Sequence, residues 1–99
     1  MATKNLQFVP CYYEWHLTDE EGNILHNMVL DSEDLFHEDG TQMELDEVIE
    51  LCEDDLLAAQ QCYLDGEEYN GVKAEWKTPK EIALAADVMA TALYNYYFA

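Results

Sequence analysis

The chain contains no arginine, and its four lysines leave residues 5–72 without a single Lys or Arg. That absence excludes direct nucleic-acid binding, because phosphate backbones are held by lysine and arginine. It also excludes membrane attachment by charge, since the cytoplasmic leaflet is itself anionic. Cysteine is scarce: Cys11, Cys52 and Cys62 are odd in number and lack CxxC spacing. Neither a disulfide framework nor a zinc ribbon is indicated, and a cytosolic setting fits best. No apolar run approaches the roughly eighteen residues of a membrane span, and the start Met1-Ala2-Thr3-Lys4-Asn5 lacks the apolar stretch of a signal peptide. GxSxG, a glycine-rich phosphate loop and HExxH are all missing, so no enzyme is expected.

What is present is acid. Twenty-two Asp and Glu give a net charge of −18, and twelve of these carboxylates fall within the twenty-five residues 31–55. Such self-repulsion accompanies disorder when apolar side chains are few. Here hydrophobic residues make up 49%, with seven Tyr, two Trp and three Phe, which predicts one folded domain over residues 1–99.

Along the chain, residues 8–17 alternate, with Cys11, Tyr13, Trp15 and Leu17 on one face and Tyr12, Glu14 and His16 on the other, the period of a half-buried strand. Residues 18–23 read as a polar loop, and 24–30 as a second strand completing an antiparallel hairpin. Residues 31–40 form an acidic connection with one helical turn opened by Ser32. Thr41-Gln42-Met43-Glu44 reads as a capping box opening a helix. Its apolar stripe is Leu45, Val48, Ile49, Cys52, Leu56, Ala59 and Tyr63, and it closes at Asp65-Gly66. After a Tyr69-Asn70-Gly71 turn, residues 72–76 alternate as a short third strand. Thr78-Pro79-Lys80-Glu81 opens a final helix with the stripe Ile82, Ala85, Ala86, Met89, Leu93 and Tyr96. The expected fold is α+β in the order ββαβα: an antiparallel hairpin and a short third strand packed with two helices.

Helical carboxylates three and four residues apart sit roughly 5 to 6 Å from one another, comparable to neighbouring phosphates on one strand. An acidic helix can therefore stand in for nucleic acid in a basic groove. In size, charge and aromatic content the whole chain resembles the small acidic phage-encoded inhibitors that mimic DNA, namely anti-CRISPR and anti-restriction proteins. These share no common motif, so the resemblance transfers no functional residue. It implies occupancy of the basic channel of a CRISPR effector or restriction enzyme, in the cytoplasm of an infected bacterium. The residues expected to act as phosphate surrogates are Glu33, Asp34, Glu38, Asp39, Asp46, Glu47, Glu50, Glu53 and Asp54.

Three other readings compete. Tyr94, Tyr97 and Phe98, in the aromatic run that ends the chain, suit self-association, and a homodimer would lengthen the acidic surface. The same rings suit a non-mimetic interaction module, antitoxin-like or adaptor, whose acids serve only solubility. Calcium is the third. Counting back from Gly40 or Gly66 puts Leu35 or Gln61 at the first position of an EF-hand loop, so neither fits. His16, His26 and His37 lack ligand spacing, although His16 and His26 could face each other across the hairpin. No cofactor and no dedicated metal site are expected.

Overall fold

The computed structural model describes residues 5–98; the N-terminal start at residues 1–4 lies outside them. Three strands, β1 (Gln7–Cys11), β2 (Glu14–Thr18) and β3 (Ile24–Val29), form an antiparallel sheet in the order β1-β2-β3. A 3-10 turn (Ser32–Leu35) and two long helices follow, α1 (Leu45–Leu64) and α2 (Pro79–Phe98). The class is α+β with two helices, and the element order is βββαα.

The expected single strand over residues 8–17 is in fact a hairpin. Tyr12 and Tyr13 turn the chain between Cys11 and Glu14, which pair, and Tyr12 takes a φ of 59°. Two-residue hairpin turns ordinarily contain glycine, asparagine or aspartate, so two tyrosines hide the turn inside an alternating pattern. The face assignment changes accordingly. Trp15 and Leu17 point to the core as expected, while Tyr13 is exposed and Cys11 pairs with Glu14 on the opposite side. β3 brings Met28 opposite Trp15 and His26 opposite Leu17. His16 instead pairs with Asn27, so His16 and His26 lie on opposite faces of the sheet and do not meet.

The third strand expected at residues 72–76 does not form. Tyr69 and Val72 close the predicted turn with hydrogen bonds of 2.8 and 3.0 Å, with Asn70 and Gly71 both at positive φ, but no second rung follows. The segment is held by side chains. Asn70 Nδ2 donates to the Asn27 carbonyl, Asn27 Nδ2 donates to the Asn70 carbonyl, and the Trp76 N–H donates to Gln60 Oε1. Its alternation arises because Trp76 is buried against the core while its neighbours Glu75 and Lys77 reach water.

α1 begins later than expected. Glu44 is the N-cap, its N–H donating to the Glu47 carboxylate at 3.0 Å, while the Thr41 hydroxyl donates to Asp39 instead. The C-terminus is as predicted: Gly66 at φ 79° donates to the Tyr63 carbonyl and Glu67 donates to that of Cys62, a Schellman closure. Thr78 caps α2 by accepting the Glu81 N–H at 3.2 Å, and the Glu81 carboxylate reaches back to the Lys77 N–H. Val48, Cys52 and Leu56 of α1 join Ile82, Ala85, Ala86, Met89, Ala90 and Leu93 of α2 and Phe8, Trp15, Leu17 and Met28 of the sheet in one core, and Ala59 of α1 is also buried. Two stripe assignments fail at the ends, where Leu45 is 39% and Tyr96 61% exposed. The helices run antiparallel, because Gln42, before α1, reaches the Tyr94 hydroxyl near the end of α2 while Gln60 binds the segment that opens it. Among the described residues no helix is long and apolar enough to cross a membrane.

Candidate functional site

At 100° per residue, Asp46, Glu47, Glu50, Glu53 and Asp54 share an arc of roughly 120° on α1, opposite the buried stripe. Asp46, Glu50 and Asp54 are exposed, and Glu47 and Glu53 are half-buried at its margins. Five carboxylates thus occupy about 12 Å of helix axis, close to one per 3 Å, against one charge per roughly 1.7 Å along duplex DNA. The face covers only the first half of the helix. Beyond Asp54 the same side carries Leu57 and Leu64, exposed at 53% and 66%.

The acidic connection extends this face past the N-terminus of α1. The 3-10 turn is organised by its own acids: Asp31 accepts the Ser32 N–H at 2.9 Å and Asp34 accepts the Asp31 N–H at 3.0 Å. Leu35 anchors the turn in the core, its carbonyl accepting the Met43 N–H at 3.0 Å, which leaves Glu33 and Asp34 in solvent. The loop from His37 to Thr41 closes through two backbone bonds, and His37 Nε2 lies 3.2 Å from Glu47, tying the loop to α1. Glu38 and Asp39 are exposed on it.

The nine expected residues divide by what they already hold. Asp34, Asp39, Asp46 and Glu47 accept hydrogen bonds within the chain. The Thr41 hydroxyl and amide hold the Asp39 carboxyl below its ordinary range, and the Glu44 amide with His37 does the same for Glu47. Glu33, Glu38, Glu50, Glu53 and Asp54 have no hydrogen-bond or ion-pair partner among the described residues, so their lone pairs face water. Asp55 is different again: it turns inward, accepting the Tyr69 hydroxyl at 2.7 Å and lying 2.7 Å from Nε2 of the buried His26.

A shallow depression of about 230 Å³ lies on this face, lined by Met43, Glu47, Glu50, Leu51 and Asp54. It joins two apolar side chains to three carboxylates, a setting for a lysine or arginine whose stem lies on Met43 and Leu51 while its head reaches the acids. Local sequence does not reveal it, since Met43 precedes the helix and joins the site only through the fold. A larger groove of about 530 Å³ between β1 and α2, lined by residues such as Leu6, Phe8, Val88 and Ala92, has Asp87 as its one charged group among the described residues and lies apart from the acidic face.

Lys73, Lys77 and Lys80 sit before and at the start of α2, near the C-terminal end of α1 and away from the acidic loop. Lys77 lies 3.8 Å from Glu75, an exposed pair worth little. No acid of the α1 face has a lysine within ion-pair distance among the described residues. The C-terminal rings mostly serve the chain itself. Phe98 packs edge-on against Phe36 and Tyr94, and Tyr97 lies against Trp15, each half-buried.

Comparison with protein-family models, with curated proteins and with solved structures returns no match to this chain.

Proposed function

We propose that the protein inhibits a bacterial nucleic-acid enzyme, of the CRISPR-effector or restriction class, by seating its acidic face in the basic channel that takes DNA. The observation that supports this reading most is the uncompensated carboxylate row of α1. Among the described residues Glu50, Glu53 and Asp54 have no cation beside them, yet they stand on a helix fixed by a buried stripe and a closed C-terminus, so the charges are held in register. Preorganised charge needs little ordering when a basic groove closes on it, which favours association. Glu33, Asp34, Glu38 and Asp39 extend the anionic track, and the depression between Glu47, Glu50 and Asp54 receives one basic side chain.

Charge reversal at Asp46, Glu50 and Asp54 together tests this. The triple variant is expected to keep native helical circular dichroism and to lose inhibition of DNA cleavage by the captured target; unchanged inhibition by the folded variant contradicts the assignment. The rival interaction module relies on Tyr94, Tyr97 and Phe98, whose half-buried packing leaves that reading less surface to use.

A further inference from the structure

Tyr12 and Tyr13, which turn β1 into β2, are 98% and 79% exposed. Tyr12 also holds a φ of 59°, a backbone state that its Cβ disfavours and that glycine or asparagine would take more easily. The two-residue turn between the paired Cys11 and Glu14 calls for this φ, but not for a tyrosine to carry it. Neither phenol makes a hydrogen bond, a ring contact or a core contact among the described residues; only the Tyr13 carbonyl is engaged, by the Leu30 N–H at 3.3 Å. The turn thus explains the backbone but not the choice of two large, solvent-facing rings where glycine or asparagine would serve, and such rings suit contact with another molecule.

The surroundings indicate what kind. The Leu30 bond to the Tyr13 carbonyl brings the exposed Asp31, which opens the acidic 3-10 turn, next to the tip. On the core side of the hairpin, Trp15 carries Tyr96 edge-on at 5.1 Å. Rings beside carboxylates suit guanidinium, which stacks on an aromatic face while its N–H groups donate to acids; an ammonium group does the second well and the first less well. A second copy of this chain would bring a net charge of −18 against −18, and a purely apolar surface would strip water from the neighbouring acids.

We infer that Tyr12 and Tyr13 are aromatic anchors for an arginine-bearing protein surface, continuous with the acidic face. The inference deepens the inhibitor reading and rests on it, since the same basic partner would meet both.

The test is calorimetric titration of the whole protein with nona-arginine and with nona-lysine at 0.15 M salt. Wild type is expected to prefer nona-arginine by about fivefold or more, the contribution of two exposed ring contacts. The Y12A/Y13A variant is expected to bind nona-lysine as wild type does and to lose most of the preference. Retention of the full preference by that variant overturns the inference. So does a drop of several degrees in the melting temperature of Tyr12→Gly, which would show that the tyrosine holds the fold; an equal or higher value is expected. The D46K/E50K/D54K variant separates the two claims. It should weaken binding of both peptides while keeping the arginine preference, and unchanged affinity there counts against the acidic face alone.

Discussion

Asp55 shows how one carboxylate in an acidic run can have the opposite role to its neighbours. Its oxygens accept the Tyr69 hydroxyl and face His26 Nε2, both at 2.7 Å, and the His26 and Tyr69 rings stack at 5.6 Å. The group ties β3, α1 and the segment after α1 together where no strand does so. Burial, then the bond to Asp55, pushes the Tyr69 phenol well above its ordinary range, so Tyr69 stays a donor at neutral pH. Removing the acid leaves a nearly inaccessible histidine and a tyrosine hydroxyl without their acceptor. Asp55→Ala is therefore expected to cost about 2 kcal/mol in urea denaturation; a loss within experimental error would show that the three groups do not act together. Composition cannot separate Asp55 from Asp54, since only the helical phase turns one inward. Nor can sequence place His26 beside it, because the partners lie 29 and 14 residues away.

At the scale of elements, α1 gives up stability to present its charges. Glu50 has like-charged neighbours three or four residues away at Asp46, Glu47, Glu53 and Asp54, each pair unfavourable by roughly 0.2 to 0.5 kcal/mol. The E50Q/D54N variant is expected to be more stable by about 1 kcal/mol in thermal or urea unfolding and to bind its target more weakly. A variant that is less stable would show that these acids support the helix. Asp39 and Glu47, near the start of α1, have depressed carboxyls, so their bonds to Thr41 and Glu44 contribute above the ordinary values of 3.8 and 4.5 and are lost only as pH falls through the lower folded values. The loop therefore keeps its shape at neutral pH.

The buried stripes of both helices were legible because period and burial agree, and so was Gly66, whose positive φ follows from its residue type. The start of α1 was less so: Thr41 and Glu44 have the capping spacing, but the loop bond from Thr41 to Asp39 competes for the hydroxyl and moves the start to Leu45. The tyrosine turn and the unpaired segment at residues 72–76 were not legible. Their conformations are set by pairing with β2 and by contacts with Gln60 and Asn27 that local sequence does not contain.

Across the whole molecule, acid is concentrated but not confined: twelve of the 22 carboxylates lie in residues 31–55, while Asp65, Glu67, Glu68, Glu75 and Glu81 lie around Lys73, Lys77 and Lys80 in sequence. The antiparallel helices place the acidic loop and the N-terminal half of α1 toward one end, with Lys73, Lys77 and Lys80 toward the other. A contiguous core of residues from all three strands and both helices holds this asymmetry against a net charge of −18. The total charge was readable from composition, whereas the display of the acids at residues 31–55 needed the turn at Leu35, the link from His37 to Glu47 and the phase of α1. Salt acts on such a surface at the range of the screening length, which falls from about 10 Å at 0.1 M to about 3 Å at 1 M.

Capture of binding proteins from a nuclease-treated bacterial lysate, eluted in rising salt and then challenged with DNA, tests whether the acidic face occupies a nucleic-acid channel. A nucleic-acid-processing enzyme is expected to leave the column as salt rises, and DNA to compete for it. Retention at high salt of a protein with no nucleic-acid site would contradict such occupancy.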